Sequence, residues 1–312
     1  MATQQNAPEQ KSRLRFRILL GALIAFLGLS YGLVVHAAVT STALLDFSPF
    51  ALVGLLGALI ANSTGVGGGV VFVPAFSFLR ETGVMEVSPA QTVGVSFAIQ
   101  CFGMSTGAVT WLNHFRDRTG NAVPQTRLRL LGQAVLIVAP LSLISLWITQ
   151  YVIQPDPRLA FLLFKLFSIT LGLALFLQIL IARQAQGERS HFIPADMIAL
   201  ALIGSLGGAA TALFSVGVGE LMALYLFLRR FPLDVCVASA VIVSAITVLG
   251  GTPYHLATGN LIFEILFFAA PGVMLGGFLA RRLAHALGAF RLKLGAAAWI
   301  VASSIVLIAI SS

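Results

Sequence analysis

Residues 62–74 read NSTGVGGGVVFVP and lie inside one of the longest apolar runs in the chain. Four of the five residues from Gly65 to Gly69 are glycine, and Pro74 follows. Gly and Pro interrupt helices more readily than any other residues. A segment with the hydropathy of a membrane span is therefore built so that it cannot be one continuous helix. Either the chain crosses here through a broken helix, or it dips into the bilayer and returns on the side from which it came.

The surrounding composition sets the class. Apolar residues make up 58% of the 312 and charged residues only 10%. Further apolar runs lie near 18–39, 49–79, 89–113, 130–152, 159–182, 195–228, 234–258, 262–280 and 292–310. Runs of roughly twenty apolar residues match the thickness of a bilayer core, so the chain reads as an all-α polytopic membrane protein. No polar gap is long enough to hold a soluble domain, which places function inside the membrane. The net charge of +8 does not point to nucleic acid, because Lys and Arg are confined to short gaps between apolar runs, as in cytoplasmic loops. Cys101 and Cys236 both fall within apolar runs, without metal-type spacing or a disulfide framework, and read as small hydrophobes.

Residues 1–17 form a polar, basic tail carrying Lys11, Arg13, Arg15 and Arg17. Residues 18–47 hold an extra N-terminal transmembrane helix and a linker. Its apolar part is longer than a signal-peptide core, so an uncleaved helix with a cytoplasmic N-terminus is expected.

The remainder reads as two copies of one plan, 48–190 and 191–312. A shift of 150 residues lays Gly54, Gly57, Val66, Gly67 and Gly69 over Gly204, Gly207, Val216, Gly217 and Gly219. The second copy is degenerate, with Val218 in place of Gly68 and Leu224 in place of Pro74. Each half then holds one glycine-broken segment followed by three ordinary spans.

Charge distribution chooses between crossing and dipping. With the N-terminus inside and both broken segments re-entrant, and Lys165 left out as lying within a span, sixteen of the 19 Lys and Arg residues lie on the cytoplasmic side, and only Arg80 and Arg158 lie outside. If both segments crossed, the clusters at 116–129 and 183–189 would move outside, leaving twelve inside and six outside. The positive-inside rule favours the first arrangement. An odd number of crossings per half then inverts the halves relative to one another.

Broken backbone at membrane depth is tolerated where it is buried in protein or lines a cavity, and paired discontinuous helices in inverted repeats are how secondary carriers build a midplane site. Glycines let backbone N–H groups approach a ligand, and the half-helix beginning near Val70 points its positive end at that ligand. Pro74 is compatible with the first turn of that half-helix. Such a site suits a small anion. The alternative for Gly65, Gly67, Gly68 and Gly69 is close helix packing, which accounts poorly for a contiguous cluster repeated at a symmetric position.

The segment GALIANSTGVGGGVVFVPAF at 57–76, with SPAQTVGVSFAIQ at 88–100, resembles the opening half of the sulfite exporter TauE/SafE family. SVGVGE at 215–220 and the stretch at 251–287 resemble its closing half. The resemblance implies transport, often export, of sulfite or an organosulfonate by a carrier that needs neither ATP nor a cofactor, in the cytoplasmic (inner) membrane of a bacterium. An anion channel, or a carrier of an unrelated small carboxylate, uses the same features, and a homo-oligomer is left open.

Several other side chains are candidates for the site. Asn62, Ser63 and Thr64 end the first half-helix and could bind the anion or cap broken backbone. Ser215 has the corresponding place in the second half, beside Gly217 and Gly219. Ser96 and Ser239 lie in the following spans. Glu220 is an acid at membrane depth, suited to carrying a proton coupled to anion movement. The alternative for Glu220 is a water-facing carboxylate stabilised by a helix dipole. Lys165 is expected to snorkel, Arg229, Arg230 and Asp234 to anchor loops, and His255 to be an interfacial histidine. Neither an HExxH nor a phosphate-loop lysine motif occurs, so no enzymatic role and no metal site are expected.

Overall fold

A computed structural model describes residues 7–42, 44–116, 123–153 and 188–310, with isolated positions between 162 and 174. Lys165 lies outside the described residues, as does most of the run at 159–182. The described residues are helical. They form α1 (Ala7–Ala38), α2 (Phe50–Thr64), α3 (Gly69–Glu81), α4 (Pro89–Arg116), α5 (Gln125–Ile148), α6 (Pro194–Phe214), α7 (Val218–Leu228), α8 (Leu233–Ala257) and α9 (Phe263–Ile310). A short 3-10 turn, Leu44–Phe47, precedes α2, and a π turn, Thr149–Ile153, extends α5.

Among the described residues, seven helical segments are long and apolar enough to cross a membrane. Two of them form the centre. The apolar windows of α4 and α8 are 83% and 78% buried, against 11–44% for the other five. Large apolar side chains such as Leu29 on α1, Leu56 on α2, Leu136 on α5, Leu206 on α6 and Phe278 on α9 are exposed. That is the expected outer surface of a bundle whose solvent is lipid.

Both broken segments double back on themselves. Phe50, at the start of α2, stacks on Phe76, near the end of α3, with ring centroids 5.5 Å apart. Near the tip, a Cβ on Gly57 would come within 2.6 Å of the Phe72 ring. In the second hairpin the open end is held by Asp196, which accepts hydrogen bonds from the Tyr225 hydroxyl and Arg229 Nε at 2.7 Å each. Gly207 there meets Val218, with 2.7 Å from its would-be Cβ to the Val218 Cα. Glycines equivalent in the sequence repeat thus do the same work in the two hairpins.

The first hairpin leans on α9 and the second on α5. On α2, a Cβ at Gly54 would lie 2.7 Å from the Ala269 carbonyl of α9, and Gly272 and Gly276 bring α9 against Ala51 and Leu55. On α6, a Cβ at Gly204 would lie 2.9 Å from the Val138 carbonyl of α5, and Gly208 abuts Ser142. Without side chains at these contacts the backbones approach closely, as in membrane interfaces rich in small residues.

The basic gaps converge at one end. Arg127 bonds Asp234 at 3.0 Å and Glu188 at 2.9 Å, Arg189 approaches Asp196 at 3.2 Å, and Arg281 reaches His114 at 3.3 Å. Arg80, paired with Glu81 at 2.7 Å, sits at the end of the first hairpin, beside the start of α4. The expected anchoring roles of Arg229 and Asp234 are present as ion pairs.

Two expectations need correction. The runs at 262–280 and 292–310 belong to one uninterrupted helix, Phe263–Ile310. The intervening RRLAHALGAFRLKL has no proline and is mostly good helix formers, which outweigh the single Gly288. At about 1.5 Å per residue its 48 residues run to roughly 70 Å, about twice what one crossing needs. Pro74 lies in the second turn of α3 and not the first, because α3 begins at Gly69. There it removes one interior hydrogen bond.

Candidate functional site

The two hairpin tips meet at the centre of the bundle. Gly65 and Ser215 end α2 and α6 with left-handed backbone, φ 77° and 60°, and their N–H groups close onto Ala61 and Thr211 at 3.0 and 2.8 Å. The chain turns sharply at both places. A Cβ on Gly69 would collide with the Ser215 carbonyl, so the start of α3 abuts the end of α6. Gly65 faces α8 at Val237 and Ala240, and Gly68 faces Gln100 of α4.

Gln100 ties the tips together. Its Nε2 donates to the Ser215 hydroxyl at 2.7 Å, the Ser215 carbonyl at 3.1 Å and Ser96 Oγ at 3.2 Å. From the other side comes Glu220, the third residue of α7 and 2% exposed. Its Oε2 accepts the Gly217 N–H at 2.8 Å. The carboxylate also lies over Gly67, whose would-be Cβ would be 2.6 Å from Oε1. Among the described residues Oε1 has no hydrogen bond of normal geometry.

Between these groups is a cavity of about 10 Å³ lined by Gly67, Gln100, Thr211, Ser215, Gly217, Val218, Glu220, Ser244 and Val248. That is room for about one water molecule. Hydroxyls, one carboxamide and backbone amides surround it, and among the described residues Glu220 is the one ionisable residue in the lining. It stands where the N-termini of α3 and α7 meet.

Of the residues singled out in the sequence, Gly67, Ser215, Gly217 and Glu220 line the cavity, and Ser96 supports it through Gln100. Gly219 packs against Ser244, letting α7 approach α8. Asn62, Ser63 and Thr64 do other work. The Asn62 amide donates to Ala58 at 3.0 Å and Gly103 at 3.4 Å, facing α4. Ser63 and Thr64 bond back to Ile60 at 3.1 and 2.8 Å, and Thr64 Oγ1 accepts the Val66 N–H at 3.1 Å. In this conformation the two hydroxyls bond the broken backbone and lie outside the cavity lining. Ser239 is buried away from the cavity lining. His255, near the end of α8, is buried in protein: it is 4% exposed, lies 4.7 Å from the Phe97 ring and 3.3 Å from the Gln150 amide of the π turn after α5.

Sequence reading missed Gln100, Thr211 and Ser244. Gln100 carried a signal, as a carboxamide in the middle of an apolar run and one helical turn from Ser96. Thr211 is likewise one turn before Ser215, where its hydroxyl accepts the Val218 N–H at 3.1 Å.

Apolar helices packed around two back-folded, glycine-broken hairpins make this a polytopic integral membrane protein. Residues 50–307 match the family described as Sulfite exporter TauE/SafE. The chain belongs to that family of membrane transport proteins. It is 24% identical over 254 residues to the probable membrane transporter protein YunE of Bacillus subtilis (strain 168), covering 75% of this chain and 87% of that protein. No solved structure matches it.

Proposed function

We propose that the protein is a secondary carrier, working as an exporter, of a small anion, most simply sulfite or an organosulfonate. The observation that carries this reading is the meeting of both hairpin tips around one donor-lined cavity. Backbone amides and neutral hydroxyl and carboxamide groups suit an anion whose charge is spread over several oxygens. Glycine at the tips leaves those amides uncovered.

The two units, 48–190 and 191–312, act in this reading as inverted halves, each packing its hairpin on the other. Alternating access arises when one half moves against the other around the tips. The cavity is too small for a sulfonate, so the conformation described is a closed one that widens on binding. The N-terminus is cytoplasmic and the membrane is the bacterial inner membrane.

The test is the thermal stability of detergent-purified protein against sulfite, sulfoacetate, taurine, sulfate and chloride, since a ligand of the folded state raises its stability by mass action. A selective, saturable shift is expected. It should be lost in Gly67→Leu and weakened in Gly67→Ala, whose smaller side chain meets only the movable end of Glu220. An unchanged shift in both variants would remove the anion from this cavity.

A further inference from the structure

The groups arranged to hold an anion already hold a carboxyl group. Glu220 bonds the Gly217 amide, overlies Gly67 and leaves Oε1 directed at the first glycine loop with no normal hydrogen bond among the described residues. Resting on the carrier reading, we propose that Glu220 is a tethered occupant of the anion site, and that a substrate anion takes its place as Glu220 gains a proton, one proton per anion.

The argument is one of space and charge. A cavity of about 10 Å³ does not admit a sulfonate while the carboxylate fills its nest, so the side chain must give up its place. Among the described residues no cation lines the cavity to receive the displaced carboxylate. The ionisable groups on the surrounding elements are Arg80 and Glu81 on α3, Cys101, His114 and Arg116 on α4, Asp196 on α6, Tyr225 on α7, and Asp234, Cys236, Tyr254 and His255 on α8. None of these is in the cavity lining. Asp196 and Asp234 are engaged with arginines at the basic end of the bundle. Two negative charges sharing so small a site are not both retained, and the weaker acid takes up a proton. A carboxylate is a weaker acid than a sulfonate, so the proton goes to Glu220. Release of the anion returns that proton, and the two movements are coupled.

The measurement is affinity against pH, using sulfoacetate and sulfate, whose charges stay constant across the neutral and mildly alkaline range. Where Glu220 is ionised in the empty site, uptake of one proton weakens wild-type binding by about tenfold per pH unit. In Glu220→Gln the dependence is expected to vanish, with binding tighter than wild type at the alkaline end. A pH indicator in weakly buffered wild-type protein should register one proton taken up per anion bound, a readout that needs no variant. Flat wild-type affinity, a slope that survives in Glu220→Gln, or a folded Glu220→Gln that no longer binds would each overturn the proposal while leaving the carrier reading intact. Absence of binding by both proteins would instead remove the carrier reading, and this proposal with it.

Discussion

Gly65 and Ser215 occupy equivalent points in the two hairpins and share one backbone conformation, φ 77° and 60°. Glycine enters that region freely, whereas another L-residue there costs about 1–2 kcal/mol. At Ser215 the cost is offset by the hydroxyl, which accepts from Gln100 at 2.7 Å. Ser215→Gly trades strain for a lost hydrogen bond of about 1 kcal/mol and is expected to leave stability nearly unchanged. Gly65→Ala acquires the strain and gains no partner, with its Cβ 3.2 Å from Val237. It should destabilise by about 2 kcal/mol. Thermal melts of the two variants in one detergent check the contrast; equal effects would mean that the equivalence is only apparent.

Gln100 is the most heavily used polar side chain at the tips, with one amide nitrogen serving Ser96 and both oxygens of Ser215. Gln100→Leu leaves those oxygens without their donor in a buried place, at a cost of about 1–3 kcal/mol. Anion-induced stabilisation should fall as well, since a cavity donor is lost. Gln100→Glu sets a carboxylate against the Ser215 carbonyl and adds negative charge to the cavity of Glu220, so it should bind anions less well than Gln100→Leu. Melts with and without sulfate separate the two effects, and an anion shift of wild-type size in both variants would show that Gln100 serves structure alone.

What the sequence disclosed and what it withheld have physical causes. Gly and Pro act on the backbone where they stand, so the interruptions at Gly65–Gly69 and Ser215–Gly217 were readable without knowing any neighbour. An acid within an apolar run is conspicuous in the same way, which exposed Glu220. The roles of Asn62 and Gln100 depend on which helix each side chain meets, and that is tertiary information. Asn62 faces Gly103 and Gly107, whereas Gln100, one turn earlier than Gly103 on the same helix, turns to the opposite hairpin. The burial of His255 is tertiary in the same way, because the Gln150 that meets it comes from the π turn about a hundred residues earlier. The uninterrupted α9 shows the converse: the charges at 281–293 look like a gap between spans, yet the helix runs through them.

Asp196 closes the open end of the second hairpin. It is fully buried and bonded to Tyr225, Arg229 and the Ile193 amide, with Arg189 at 3.2 Å. Losing a carboxylate so placed leaves two arginines and a hydroxyl without their acceptor. The arginine side chains are 28% and 38% exposed, so solvent recovers part of the loss. Asp196→Ala should therefore cost about 2 kcal/mol, below the 3–5 kcal/mol of a deeply buried pair. Tyr225→Phe, which removes one hydrogen bond, should cost about 1 kcal/mol. Denaturation of the two variants by a graded detergent series gives the comparison, and a near-neutral Asp196→Ala would show that packing alone closes the hairpin.

The sidedness of the hairpins yields the strictest test. Ser48 and Val84 flank the first hairpin, and Ser190 and Arg230 flank the second; all four are exposed. If each hairpin returns to its own side, cysteines at positions 48 and 84 should react together with a membrane-impermeant maleimide added outside intact cells. Cysteines at 190 and 230 should react only after the membrane is opened. Native Cys101 and Cys236 are buried, so background labelling should be low. A hairpin that crosses the bilayer would split its pair, one position reacting outside and the other inside. The Arg-rich positions at 116–129 sharpen the result, because a crossing first hairpin would carry them to the outer surface, against the charge asymmetry that orients membrane helices. Split labelling of either pair would therefore overturn the inverted arrangement, and with it the symmetric movement proposed for transport.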